Sequence, residues 1–161
     1  MEKVKIKDIM LRDTTSVLPD CSLEEVIQLM AIQHLNGMPV VDQEQKVIGF
    51  ISHHDIVKSL LPNYLGIINS NSFITEFIQL SKKLKEFANN KVEEFMKKNV
   101  ITISEEDNEV MAADLLIRNK IHHLPVIRNG HLVGIVTMRD LLKAMILKEE
   151  ENEDSEKENS E

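Results

Sequence analysis

The chain carries one unit twice. Gly49-Phe50-Ile51-Ser52-His53-His54-Asp55-Ile56 returns as Gly134-Ile135-Val136-Thr137-Met138-Arg139-Asp140-Leu141, 85 residues later. Met38-Pro39-Val40-Val41 returns as Leu124-Pro125-Val126-Ile127 at an offset of 86, and Asp8-Ile9-Met10 is echoed by Glu94-Phe95-Met96. The one-residue slip falls in a turn. A repeated supersecondary unit limits the fold to two copies of one architecture, with matching surfaces and matching candidate sites. A half of ~60 residues is marginal by itself, so the two copies are expected to share one core.

Each copy reads as β-α-β-β-α. A short strand is expected at Ser16-Val17-Leu18 and again at Val100-Ile101-Thr102-Ile103. The first helix begins at the capping box Ser22-Leu23-Glu24-Glu25, and Leu23, Val26, Ile27, Met30 and Ala31 follow at helical spacing. Asn108 is the corresponding N-cap in the second copy. A hairpin comes next. Residues 124–127 and 131–136 flank Arg128-Asn129-Gly130, and Asn-Gly between apolar runs is a strong hairpin signal. The first copy turns through Asp42-Gln43-Glu44-Gln45-Lys46, a longer loop that accounts for the slip. A second helix starts at Ser52 or Thr137.

These signals divide the chain into a first repeat at 1–61, an insert at 62–91, a second repeat at 92–147 and a tail at 148–161. The insert opens with Pro62 and holds Tyr64 and the polar run Asn69-Ser70-Asn71-Ser72. Phe73, Phe77, Leu80, Leu84 and Phe87 then form a heptad-like stripe, widened by Ile74 and Ile78. That stripe packs either on its own chain or on a second copy; periodicity does not choose between them.

The net charge of −8 is local. Residues 149–161 carry eight acids and one lysine, and the remaining 19 acids and 18 bases leave the body near neutral. The tail has no apolar residue and is expected to be disordered. No basic footprint for nucleic acid exists, and no apolar stretch approaches the length of a membrane span. A single cysteine, Cys21, excludes an internal disulfide. A soluble cytoplasmic protein is the expectation.

Gly-apolar-apolar-Ser/Thr-x-x-Asp occurs as Gly49 to Asp55 and Gly134 to Asp140. One copy describes only a well-made helix start, since Ser, Thr and Asp cap the first turn. Two copies, each behind an apolar-Pro-Val strand, are far more specific. This arrangement resembles the cystathionine β-synthase (CBS) domain family, here as a tandem pair (a Bateman module), over about residues 4–61 and 92–147. The resemblance implies an α+β fold of two β-α-β-β-α repeats related by a pseudo-twofold. It implies clefts between the repeats that hold adenosine-containing ligands. The aspartate takes the ribose hydroxyls, the Ser/Thr helix start lies near ribose and phosphate, and the backbone before the Pro-Val strand frames the adenine.

Carried onto this chain, the second site comprises Ile101, Thr102, Ile121, His122, His123, Pro125, Thr137, Arg139 and Asp140. The first comprises Thr15, Ser16, Leu35, Asn36, Gly37, Pro39, Ser52, His54 and Asp55. Arg139 is a permanent forked cation where the first site has His54, so the second site is expected to bind a nucleotide better. The function implied is a non-catalytic regulatory module. Its regulatory ligand is an adenine nucleotide such as AMP, ADP or ATP, or else S-adenosylmethionine or a cyclic dinucleotide, and it needs no other cofactor. The implied partners are a second copy, in a disc of four domains, and an unidentified effector protein. A structural dimer with vestigial sites is the alternative. An enzyme is disfavoured by the lack of GxSxG, Walker A or HExxH patterns. His53-His54 and His122-His123 do not chelate one ion, because adjacent residues diverge and no further ligands complete a set. Met138 lies inside the expected phosphate-facing turn, unlike the other methionines, which read as core filler.

Overall fold

Two side-chain caps start the first helices of the two repeats. Ser22 Oγ accepts from Glu25 N–H at 3.2 Å while the Glu25 carboxylate accepts from Ser22 N–H at 2.8 Å, the reciprocal capping box. Asn108 Oδ1 accepts from the N–H groups of Val110 and Met111 at 3.1 and 3.2 Å. These caps open α2 (Leu23–Gln33) and the helix Glu109–Asn119 in the computed structural model, which describes residues 3–61 and 73–158. In chain order the elements are α1 (Ile6–Ile9), α2, β1 (Gly37–Val41), β2 (Val47–Ser52), α3 (His53–Leu60) and α4 (Phe73–Phe87). β3 (Ile103–Ser104), α5 (Glu109–Asn119), β4 (His123–Arg128), β5 (His131–Thr137) and α6 (Met138–Glu158) follow. Pro62, Tyr64 and the run at 69–72 lie outside the described residues.

The chain forms two compact units, one of residues 15–100 and the other of residues 1–14 and 101–161. The N-terminal segment therefore belongs with the second repeat. Buried apolar residues form two clusters, one in each unit, where a single shared core was expected. Each unit gains enough surface for its own core from the segment that precedes the other repeat. In the first-repeat unit Val92 joins Leu23, Val26, Met38 and Ile51; in the other, Ile6 joins Leu116, Leu124, Val126 and Leu141.

The hairpins fold as expected. β1 pairs antiparallel with β2 and β4 with β5. Asn129 and Gly130 have φ of 51° and 82°, the two positive values that a tight two-residue turn needs. In the longer loop Asp42 Oδ1 accepts from Glu44 and Lys46 N–H, each at 2.9 Å. The leading strands are shorter than expected. Ser16-Val17-Leu18 makes one parallel bridge, from Val17 to Val40, and the second is reduced to β3, parallel to β4. Each pairing ends where the chain turns, at residues 19–20 and 105–106.

α6 runs on to Glu158, into the acidic segment. No Gly or Pro interrupts residues 138–158, and Glu and Lys are good helix formers. In the insert, Leu80, Leu84 and Phe87 of α4 pack on the first-repeat core, while Phe77 and Ile78 are exposed. The side chains of residues 73 and 74 are not among those described. Lys83 Nζ donates to the Leu60 carbonyl at 2.9 Å and so ties α4 to the end of α3.

The N-terminal segment is held to the β3–α5 loop by backbone bonds and ion pairs. Ile6 N–H donates to Asp107 and Lys7 N–H to Glu105, at 2.9 and 3.0 Å. The Glu106 carboxylate meets the ammonium groups of Lys5 at 2.6 Å and Lys7 at 2.9 Å. Hydrogen bonds from Lys5, then from Lys7, hold the Glu106 carboxyl down to about 2. A depressed folded-state value means that Glu106 stabilises fully above its ordinary 4.5 and ceases to do so as pH falls to about 2. The melting temperature of the parent protein should thus exceed that of Glu106→Gln at neutral pH. The gap should close between pH 4.5 and 2 in a circular-dichroism series. A gap that stays constant over that range would refute the assignment.

Candidate functional site

The two Ser/Thr-x-x-Asp segments build the same local geometry. Asp55 Oδ2 accepts from Ser52 N–H at 3.2 Å and Ser52 Oγ–H at 2.6 Å, at the start of α3. Asp140 Oδ2 accepts from Thr137 N–H at 2.8 Å and Thr137 Oγ1–H at 2.7 Å, at the start of α6. Each carboxylate thus spends one oxygen on its own helix start. The other oxygen differs. Asp55 Oδ1 lies 3.3 Å from Lys97 Nζ. Among the described residues no hydrogen bond or ion pair is made to Asp140 Oδ1.

The same glycine and methionine shape both units. A Cβ on Gly49 would fall on Met96 Sδ, and one on Gly134 would lie 2.7 Å from Met10 Sδ. The Asp8-Ile9-Met10 echo is thereby explained: each copy seats its methionine on the glycine of the motif. The residue after each methionine then bridges the motif strand. Lys97 exchanges backbone hydrogen bonds with Phe50, both at 2.9 Å; Leu11 exchanges them with Ile135, at 2.8 and 2.9 Å. The glycines of the motif serve this close approach.

The segments expected to frame a base are placed by helix ends. α2 and α5 both finish on a left-handed residue, His34 at φ 54° and Lys120 at φ 52°. Leu35 N–H then returns to the Met30 carbonyl at 2.9 Å, and Ile121 N–H to that of Leu116 at 3.1 Å. Asn36-Gly37 and His122-His123 follow directly and lead into Pro39 and Pro125, both buried in their hairpins. Gly37 pairs with Ser52, and His123 with Thr137, so each framing segment lies beside its own Ser/Thr-x-x-Asp helix start. The Asn36 carbonyl is already engaged by His53 N–H at 3.1 Å and by the His53 ring, Nδ1, at 3.0 Å. Met138 takes the place of His53 in the second repeat and packs on the core, contrary to a phosphate-facing role.

Thr15 and Ser16 are half-buried beside the Val17 bridge, where Thr15 hydroxyl bonds the Gln33 side chain. Ile101 and Thr102 are half-buried ahead of β3. Arg139 is exposed and makes no ion pair among the described residues; His54, its counterpart, is exposed too. Lys97 is the residue that sequence reading missed. The signal was present in the position after each echoed methionine, Leu11 in one copy and Lys97 in the other.

Cys21 does not offer a nucleophile. Burial, with the Glu25 carboxylate beside it, pushes its thiol up to about 11, far from a reactive thiolate near neutral pH. No group of three His, Cys, Asp or Glu that could hold a metal ion occurs among the described residues. No helix among them is long and apolar enough to cross a membrane.

The fold is that of a paired α+β module whose two repeats each present a capped aspartate beside a framing loop. The family model for the CBS domain matches residues 6–62 and 92–147, and the chain belongs to that family as a tandem pair. An uncharacterised protein of Methanocaldococcus jannaschii is 34% identical over 160 residues, 90% of this chain and 93% of that protein. Inosine-5'-monophosphate dehydrogenase of the same organism is 29% identical over 140 residues. That match covers 86% of this chain but 23% of the enzyme. The crystal structure of CBSX2 in complex with AMP superposes with a TM-score of 0.67 at 23% identity, covering 90% of this chain and 98% of that one. CBSX2 comes from Arabidopsis thaliana.

Proposed function

We propose that the chain is a non-catalytic regulatory module that binds an adenosine-containing ligand, with the Asp140 repeat as its stronger site. The observation that carries this reading is the Asp140 carboxylate. One oxygen is fixed by Thr137, and no hydrogen bond or ion pair is made to the other among the described residues. Such a carboxylate can accept both hydroxyls of a cis-diol. Arg139 is exposed next to it in the first turn of α6 and offers a forked donor set for phosphate. The His122-His123 segment, set beside Thr137 by the hairpin register, supplies backbone groups for the base edge. The AMP complex of CBSX2 supports the choice of adenosine as the common group.

A second copy of the chain is the partner this reading includes. Exposed Val110, Met111 and Ile117 on α5 and Leu142, Ile146 and Leu147 on α6 support self-association.

Thermal unfolding of ligand-free protein tests the reading. AMP, ADP, ATP, S-adenosylmethionine and cyclic di-AMP are each added in excess. A ligand at ~100 times its Kd adds about 2.7 kcal/mol of stability, a shift of several degrees for a chain of this size. At least one adenosine compound is expected to produce it. Unchanged melting with all five, after any co-purified ligand has been removed, overturns the reading. Light scattering on the same material reports whether the protein associates.

A further inference from the structure

We propose that Lys97 is an internal competitor for the ligand at Asp55, so that the two repeated aspartates bind a ribose unequally. The inference rests on the ribose-binding reading of those aspartates and names the residue that divides them. Asp55 is buried, with its side chain 8% exposed, and both of its oxygens are engaged by the chain itself. Ser52 N–H and Oγ–H hold Oδ2 at 3.2 and 2.6 Å, and the Lys97 ammonium stands 3.3 Å from Oδ1. A diol arriving at Asp55 must displace that ammonium.

Lys97 reaches Asp55 because its backbone cannot move away. Two hydrogen bonds fix it to Phe50, and Gly49, lacking a side chain, lets the 96–97 segment come against the strand. The equivalent position in the other unit is Leu11, fixed to Ile135 by the same pair of bonds and carrying no charge. A second contact has the same sense. The His53 ring engages the Asn36 carbonyl, while the second repeat has the thioether of Met138 in its place. In the Asp55 repeat, then, the chain's own lysine and histidine engage a carboxylate oxygen and a backbone carbonyl of the candidate site. Lys97 is itself 67% exposed, so its ion pair is modest and reversible and handicaps the site without closing it.

Adenosine is the probe, because it has the diol and base but no phosphate to be attracted by the lysine. It is titrated calorimetrically into Asp140→Asn and Asp55→Asn proteins, each with and without Lys97→Met. Lys97→Met is expected to tighten adenosine roughly two- to five-fold in the Asp140→Asn protein. It should leave the Asp55→Asn protein unchanged. Raising the ionic strength should tighten adenosine in Asp140→Asn alone, since salt screens the ion pair, and this response should vanish with Lys97→Met. Lys97→Met that weakens or does not alter binding in the Asp140→Asn protein overturns the inference. The Asp140 reading survives that result if the Asp55→Asn proteins bind adenosine. Absence of binding in all four proteins overturns the reading of both aspartates and this inference with it.

Discussion

Asp140→Ala is expected to weaken a ribose-bearing ligand roughly 10- to 100-fold while leaving free adenine nearly unaffected. Hydrogen bonds to a charged group are worth about 1.5–3 kcal/mol, and each 1.4 kcal/mol is tenfold in affinity. The substitution also removes the carboxylate that accepts from Thr137 N–H and Oγ1–H, so about 1 kcal/mol of helix-start stability goes with it. The two effects separate by measurement. Calorimetry at a temperature well below unfolding reads the affinity, and the contrast between adenosine and adenine removes any general loosening of the site. Asp55→Ala should do less to affinity, because Lys97 already engages that carboxylate. Equal losses for adenosine and adenine in Asp140→Ala would place the diol elsewhere.

The helix starts, those of the candidate site included, were legible before the fold was known, for a local reason. Ser22, Ser52, Asn108 and Asp140 act within a few residues of themselves, through caps that depend on side-chain type and spacing. The Asn129-Gly130 turn is likewise set by two residues that tolerate positive φ. What was not legible is non-local. The echo of Asp8-Ile9-Met10 in Glu94-Phe95-Met96 was visible, but nothing in either triplet says which hairpin it will join. Pairing Leu11 with Ile135 closes a loop longer than 100 residues, and pairing Lys97 with Phe50 crosses 47. Because that pairing was hidden, the contact of Lys97 with Asp55 was hidden too. The length of α6 was hidden for a different reason: lack of apolar residues argues against packing, yet a helix continued from a packed start needs only good formers and no breaker.

Gly134→Val is expected to lower the melting temperature by roughly 2–12 °C, the consequence of about 1–3 kcal/mol of overpacking in a chain of this size. A Cβ at Gly134 would lie 2.7 Å from Met10 Sδ and 2.9 Å from the Leu11 carbonyl oxygen. The thioether can swing aside, but the carbonyl cannot, because Leu11 is held by two backbone bonds to Ile135. Rescue therefore discriminates. In a Gly134→Ala background, Met10→Ala should restore only part of the lost stability. At Gly49 the nearest backbone atom, the Lys97 carbonyl oxygen, is farther away at 3.1 Å, and the main obstacle is Met96. Met96→Ala should thus rescue Gly49→Ala more completely. Gly130→Ala is the control of another kind, since nothing lies within 4 Å and only its φ of +82° opposes a side chain. Full rescue of Gly134→Ala by Met10→Ala would mean that the 10–11 backbone yields, and the strand bridge would no longer account for the glycine. Retained stability in Gly134→Val would go further and detach the N-terminal segment from β5 altogether.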